Sequence, residues 1–244
     1  ITVELAKAGQ FDKAVNVAGS ISDDSDKASA LSKIASELAK AGQTQKALLI
    51  FDKAVNVAGS IYDNYDKADT LINIASELAK AGQTQQALQI FNKAVNAAGS
   101  ISSNSSKAWA LKNIASELAK AGQTQQALQI FDKAFDVAGS ISDDYFKAFT
   151  LSNIAVELAK AGQFDKAVTF AGSISDDSYK AYALSEIASA LRDIASELAK
   201  AGQFDKALTV AGSISNDYSK AKALINIASE LAKAGQTQQA LQIF

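Results

Sequence analysis

The sequence has 244 residues, 48% of them hydrophobic, and its 24 lysines and arginines against 26 aspartates and glutamates give a net charge of −2. This balance argues against a nucleic-acid-binding surface, which normally has a basic excess, and no apolar stretch approaches the ~18 residues that a membrane-spanning helix requires. With no cysteine and no histidine, a disulfide framework is excluded and a zinc, copper or haem site is disfavoured.

Glycines divide the sequence into a regular succession of segments. Seven of the 13 glycines stand in Ala-Gly-Gln, at Gly9, Gly42, Gly82, Gly122, Gly162, Gly202 and Gly235. The other six stand in Ala-Gly-Ser, at Gly19, Gly59, Gly99, Gly139, Gly172 and Gly212. Each follows an apolar pattern of helical period, where a glycine in the left-handed conformation can end a helix. We therefore assign each Ala-Gly-Gln to the end of a first helix, A, and each Ala-Gly-Ser to the end of a second, B.

The segments between the glycines have the periodicity of amphipathic helices, and none alternates with the period of a strand. In the A segment before Gly82 the apolar residues are Leu71, Ile74, Ala75 and Leu78. An Asp or Asn recurs just before each later A segment, where its side chain could accept a hydrogen bond from the first helical N–H groups. These residues are Asp24, Asn64, Asn104, Asp144, Asp177 and Asp217.

The spacing of the apolar, glycine and alanine positions within one unit resembles that of the tetratricopeptide repeat family. The residues that carry the resemblance are Leu71, Ile74, Ala75, Leu78, Gly82, Ala87, Phe91 and Ala94. The resemblance covers essentially the whole chain and implies an all-α fold, a right-handed α-solenoid of tandem antiparallel helix hairpins, as a single repeat array over 1–244. The family's proline at the end of helix B is replaced by Gly99 and its equivalents, and the period is 33 or 40 residues instead of 34.

The two periods differ by seven residues that can be located in the sequence. Long units carry a heptad such as Thr84–Ile90 before the Phe of helix B, whereas short units pass directly from Gln10 to Phe11. Seven residues return a helix to within roughly 20° of its starting phase, so the apolar face is kept. A second heptad, Ile187–Asp193, predicts one continuous helix from about Ser178 to Ala201. The alternative is a break near Arg192 and Asp193.

The heptad adds two turns to this A helix, whereas the B segments on either side of it are short and leave those turns little to pack against. We expect either that the array shifts register to cover Ile187 and Leu191 or that these residues form an exposed apolar ledge.

The resemblance also implies a groove lined by the A-helix residues that face away from helix B. Over four units these are Ser29, Ser32, Ser36 and Lys40; Asp69, Ile72, Ser76 and Lys80; Trp109, Lys112, Ser116 and Lys120; and Phe149, Ser152, Val156 and Lys160. Their leading positions vary between units, through drift or through adaptation to a ligand. Together with the heptad, they give the candidate partner-binding residues Asp69, Ile72, Lys80, Trp109, Lys112, Lys120, Phe149, Lys160, Ile187 and Leu191.

Charged residues in the repeat have simpler explanations than a ligand. Lysines recur at Lys40, Lys80, Lys120, Lys160, Lys200 and Lys233, each three residues after a glutamate. They could attract an acidic peptide, but an exposed pair within one helix explains them more simply. The acidic run Asp23–Asp26 is better explained by helix capping than by calcium binding.

The sequence predicts a non-catalytic protein-binding scaffold without cofactor or metal, because every Glu but Glu186 sits in the repeated pair and the sequence marks no catalytic site. The alternative is a structural element that stacks or bridges subunits in a larger complex. We expect a protein or peptide partner, no nucleic acid, no membrane insertion and a cytoplasmic location. The chain also reads as a fragment with uncapped ends, where Leu5, Leu241 and Phe244 would expose apolar surface and allow self-association.

Overall fold

A computed structural model describes residues 1–214 and 216–243, with the exception of the Glu197 side chain. The described residues form fourteen α-helices and contain no β-strand. The helices are α1 Thr2–Lys7, α2 Phe11–Gly19, α3 Asp24–Lys40, α4 Thr44–Ser60, α5 Asn64–Lys80, α6 Thr84–Gly99, α7 Asn104–Lys120, α8 Thr124–Gly139, α9 Asp144–Lys160, α10 Phe164–Gly172, α11 Asp177–Lys200, α12 Phe204–Gly212, α13 Asp217–Lys233 and α14 Thr237–Leu241. The all-α prediction is confirmed, and no described helix is long and apolar enough to cross a bilayer.

The chain divides into two compact units, unit 1 from Ile1 to Ser140 and unit 2 from Ile141 to Phe244. Within each unit, consecutive A and B helices pack as hairpins, and each A helix also packs against the next A helix. In unit 1, for example, α3 contacts both its hairpin partner α4 and the following A helix α5. This is the arrangement of a helical-hairpin array. That one uninterrupted array spans 1–244 stays a prediction.

The two glycine contexts end helices in different ways. The seven Ala-Gly-Gln glycines have positive φ, as Gly42 does at 76°. The Gln43 N–H beside it reaches back to the Leu38 carbonyl at 2.9 Å, which closes the helix as expected. The expectation of left-handed glycine is wrong for Ala-Gly-Ser, because Gly99 and its equivalents lie in the last helical turn without positive φ. The following residue supplies the cap instead, since the Ser173 hydroxyl donates to the Phe170 carbonyl at 2.7 Å.

The N-terminal caps lie one residue before the Asp and Asn positions that the sequence indicated. In α5 the cap is Asp63, whose carboxylate accepts from the Tyr65 and Asp66 N–H groups at 2.8 and 3.0 Å. Asn64 is therefore free to link repeats, and its side-chain amide donates to the Ser100 carbonyl at 3.3 Å. The capping chemistry was predicted correctly, but its position was wrong by one residue.

The core is built from the positions that repeat at helical period. In unit 1, Phe51, Phe91 and Phe131 are enclosed on the B helices, and their A-helix counterparts include Ile34 and Ile74. Ile114 of unit 1 is also fully enclosed, as are four isoleucines of unit 2, Ile154, Ile174, Ile187 and Ile227. The inserted heptad keeps its phase, because Ala47 and Ala54, seven residues apart on α4, are both buried.

Helix α11 is continuous over 24 residues, whereas every other described helix has at most 17. The predicted long helix is confirmed, and the alternative break near Arg192 is wrong. Ile187 and Leu191 are each only 2% exposed, so the exposed apolar ledge does not form. Their cover comes from unit 2 itself, where α11 packs against α9, α12 and α13.

The chain ends bear out part of the expected apolar exposure. Leu241 is 71% exposed, whereas Leu5 is half-buried. Phe244 lies outside the described residues.

Candidate partner-binding surfaces

The expected groove of unit 1 is largely filled by its own helices. Ser32 and Ser36 are buried, and so are Ile72 and Lys112, because successive A helices pack directly on one another. Small serines allow this close approach. What remains is a polar cleft of about 290 Å³, with Lys33 and Lys80 among its lining residues. The expected exposure is therefore wrong for Ile72 and Lys112, although Asp69 is exposed as expected.

Hydrogen bonds between neighbouring A helices hold this surface together. The Ser36 hydroxyl donates to the carboxylate of Glu77, and the Ser76 hydroxyl donates to that of Glu117 at 2.7 Å. Partial burial alone would raise the pKa of Glu77, but hydrogen bonds from Lys80 and Ser36 and the charge of Lys40 lower it overall. The hydrogen bond from Ser36 therefore helps to stabilise the ionised carboxylate of Glu77 between two repeats.

The recurring lysines form ion pairs within their own helices. Lys80, Lys120 and Lys160 lie 2.8, 2.6 and 2.8 Å from the glutamate three residues earlier. The hydrogen bond that Lys160 donates to Glu157 is the main reason that the pKa of Lys160 is raised. These ammonium groups are exposed but already paired, as the simpler explanation predicted. That leaves less charge for an acidic ligand.

Trp109 in unit 1 is half-buried and paired with a lysine of its own helix. The Lys112 ammonium lies 3.9 Å from the centroid of the indole ring, which is the geometry of a cation–π interaction. The two predicted binding residues therefore contact each other. A partner that used the indole would meet a ring with one face already covered.

Unit 2 carries an exposed cluster of aromatic rings at the start of α9 and α11. We define the aromatic cluster as Tyr145, Phe146, Phe149 and Tyr179. The Tyr145 ring meets Phe146 and Tyr179 edge to face, with ring centroids 5.5 Å apart in both pairs, and Phe149 meets Tyr179 at 6.2 Å. Tyr145, Phe146 and Phe149 are all exposed. Large aromatic side chains left in solvent are typical of interface anchors.

The cluster is ordered by its own contacts and by the helix caps beneath it. A hydrogen bond to Tyr145 raises the pKa of Tyr179 to about 12. The Asp143 and Asp176 carboxylates accept from the Phe146 and Tyr179 N–H groups, both at 2.9 Å, which fixes the two helix starts. A rigid aromatic surface loses little conformational entropy when a partner binds.

Sequence reasoning identified only Phe149 of this cluster. The missed signal is an internal comparison: the position of Phe146 holds Asp26 and Asp66 in earlier units and Ser219 in the last. An aromatic residue at a capping-region position that otherwise holds short polar residues marks a local exception. Tyr179, at the same position of its unit, marks a second one.

The remaining predicted residues, Ile187 and Leu191, are buried inside unit 2 and offer no surface to a partner. Among the described side chains there is also no group of three or more acidic residues that could hold a metal ion.

The tetratricopeptide repeat family matches residues 26–100. Ton1535 from Thermococcus onnurineus NA1 has a similar fold, with 21% sequence identity and a TM-score of 0.61 over 99% of this chain and 92% of that one. A Rap protein complexed with competence and sporulation factor is 16% identical, with a TM-score of 0.41 over 99% of this chain and 70% of that one. Aspartyl phosphate phosphatase F from Bacillus subtilis is 18% identical, with a TM-score of 0.43 over 89% and 60%.

The search of curated protein sequences gave no match. Residues 26–100 are thus similar to the tetratricopeptide repeat family, and the fold of the chain is similar to that of Ton1535. The described residues form tetratricopeptide-repeat-like helical hairpins within each of the two units.

Proposed function

We propose that this chain is a non-catalytic scaffold that holds a segment of a partner protein on the surface of its A helices. The observation that carries the proposal is the aromatic cluster of unit 2. Tyr145, Phe146 and Phe149 are exposed, and the Tyr145 ring contacts Phe146 and Tyr179 edge to face. Phe146 also stands where earlier units hold Asp26 and Asp66. Contact residues with large binding contributions are most often aromatic or Arg and tend to cluster.

The A-helix surface of unit 1, taken by itself, is the weaker candidate for binding a partner. Its cleft has a volume of about 290 Å³, and Lys80 in the lining is paired with Glu77 of its own helix. Such a surface supplies hydrogen bonds and register to a bound segment rather than most of the binding energy. In unit 1, Trp109 supplies a large aromatic side chain at one of the predicted groove positions.

The proposal is tested with substitutions that the chain itself provides. Tyr145→Ser introduces the serine that the equivalent positions Ser25 and Ser105 hold. Phe146→Asp introduces the aspartate of the equivalent position Asp66, so both changes suit the fold. Partners are captured from the source cells by pull-down with cross-linking, and affinity is then measured for the recovered protein. The double variant is expected to weaken binding by about 2 kcal/mol or more, with unchanged helicity.

The matched control is Tyr62→Ser, because Tyr62 is an isolated tyrosine on unit 1 that is 99% exposed. It removes one exposed aromatic ring without touching the cluster, so binding should be unchanged. A second arm combines Trp109→Ala with Phe149→Ala, which should also cost about 2 kcal/mol if both residues contact the partner. Unchanged affinity in the cluster variant would move the binding surface elsewhere.

A further inference from the structure

A cleft in unit 1 lies where a short B helix meets a long one. Helix α2 has 9 residues and its neighbour α4 has 17, because α2 lacks the heptad that α4 carries as Thr44–Ile50. The start of α4 therefore has no matching turns of α2 beside it. The cleft that results has a volume of about 590 Å³. Its lining includes Phe11, Val15, Leu38, Lys46, Leu49 and Ile50.

The next pair of B helices shows what normally fills this place. Between α4 and α6, both of which carry the heptad, the corresponding cleft has only about 280 Å³. Leu48, a residue of the heptad, lines that smaller cleft opposite Gln89 and Ile90. Helix α2 has no counterpart of Leu48, since Gly9 and Gln10 precede Phe11 directly. What the larger cleft lacks is thus two turns of amphipathic helix that bear a leucine.

The sequence changes at this cleft and not at its counterparts. The heptad reads Thr-Gln-Gln-Ala-Leu-Gln-Ile at 84–90, 124–130 and 237–243, but Thr-Gln-Lys-Ala-Leu-Leu-Ile at 44–50. Leu49 therefore replaces the glutamine of Gln89 and Gln129, and it is 63% exposed. A leucine in solvent beside an open apolar cleft needs cover, whereas glutamine at the same place does not.

We propose that this cleft binds a second copy of the chain, with the Thr44–Ile50 turns of each copy entering the α2–α4 cleft of the other. Each copy has both parts of the contact, a two-turn helix with an exposed leucine and the place where such turns are missing. The charges at the rim suit a twofold pairing, since Asp12 and Asp52 are matched by Lys46 and Lys53. A surface with an apolar centre and balanced charges can face itself across a twofold axis.

This contact is independent of the aromatic cluster and goes beyond the scaffold function. It also differs from end-to-end stacking, because it uses one face of α4 on both copies and closes after two subunits.

Sedimentation velocity of the full chain over a range of concentrations tests the proposal. The wild type is expected to shift from monomer to dimer as concentration rises. Leu49→Gln, which restores the residue of the other heptads, should weaken the dimer at least tenfold without loss of stability. A wild type that stays monomeric throughout, or one that grows beyond a dimer, overturns the proposal.

The decisive control exchanges two residues and keeps the composition identical. Leu49→Gln combined with Gln89→Leu moves the leucine to the filled cleft between α4 and α6, so the swapped protein should remain monomeric. If it associates as the wild type does, exposed leucine alone causes association, and the cleft has no role.

Cross-linking locates the contact, because the chain has no cysteine of its own. Gln45→Cys, which keeps Leu49, should form a covalent dimer with a bismaleimide linker at concentrations where the wild type associates. Gln125→Cys, the matched position on α8, should not. Equal cross-linking of both variants contradicts the proposed face.

Discussion

The two units join successive A helices in different registers. In unit 1 the bridge runs from Ser36 to Glu77, 41 residues later, and again from Ser76 to Glu117. In unit 2 the equivalent serine, Ser196, accepts from the side-chain amide of Asn226 at 2.9 Å, only 30 residues later. If unit 2 kept the pairing of unit 1 with a repeat of 33 residues, Ser196 would face Glu230, the equivalent of Glu77. The observed partner lies four residues earlier, which is about one helical turn, or ~6 Å.

This difference shows how the array accommodates units of unequal length. The contact between α11 and α13 is offset by about one turn from the pattern of unit 1. Helix α11 packs against α9, α12 and α13, and Ile187 and Leu191 of its heptad are both buried. We infer that this offset lets the neighbouring helices cover the extra turns of α11.

The most severe test of this explanation is Leu191→Asp. If the shifted register buries Leu191 in the core of unit 2, a carboxylate there loses its apolar contacts and is desolvated. The expected loss is about 4 kcal/mol or more of the free energy of unfolding. Urea unfolding monitored by circular dichroism measures it, with hydrogen exchange on α11 to show that unit 2 is the part that opens.

The matched control is Ile225→Asp, since Ile225 is an apolar residue of unit 2 that is 52% exposed. Its expected effect is within about 0.5 kcal/mol. If the two variants lose the same free energy, or if Leu191→Asp loses less than about 1 kcal/mol, the heptad of α11 is a tolerated insertion and not part of the core.

The regular register of unit 1 can be tested through pH. The pKa of Glu77 is lowered in the folded state by Lys80, Ser36 and Lys40 against the opposing effect of burial. Its contribution is therefore fully present above the unfolded value of ~4.3 and is lost as pH falls through the folded pKa. Glu77→Gln should cost about 1–2 kcal/mol at pH 7 and progressively less in acid, as measured by urea unfolding at several pH values.

Glu4→Gln serves as the control, because Glu4 pairs with Lys7 at 3.2 Å but is 74% exposed. Such a surface pair contributes little, so Glu4→Gln should change the free energy of unfolding by no more than about 0.5 kcal/mol. Equal pH profiles for the two variants would show that the bridge to Ser36 contributes no more than the pair within the helix.

The sequence allowed the helices, the turns and the phase of both heptads to be predicted, because each depends on residues close together in the chain. Leu78 is buried because it lies on the same helical face as Leu71, seven residues earlier, and Gly82 ends its helix by local backbone geometry. The aromatic cluster was missed because it joins side chains of two helices, Tyr145 and Tyr179. The burial of Lys112 was missed because it depends on how closely neighbouring A helices approach.

The two glycine classes provide the finest comparison, since the same substitution is expected to act in opposite directions. Gly122 has a φ of 76°, which costs an L residue about 1–2 kcal/mol, so Gly122→Ala should destabilise unit 1 by that amount. Gly99 ends α6 in helical conformation, where alanine is favoured by about 0.5–1 kcal/mol, so Gly99→Ala should stabilise it. No neighbouring atom lies within 4 Å of a Cβ added at either position, so packing does not disturb the comparison. Thermal unfolding should give midpoints on opposite sides of the wild type, and a shift in the same direction would show that the two contexts do not end their helices differently.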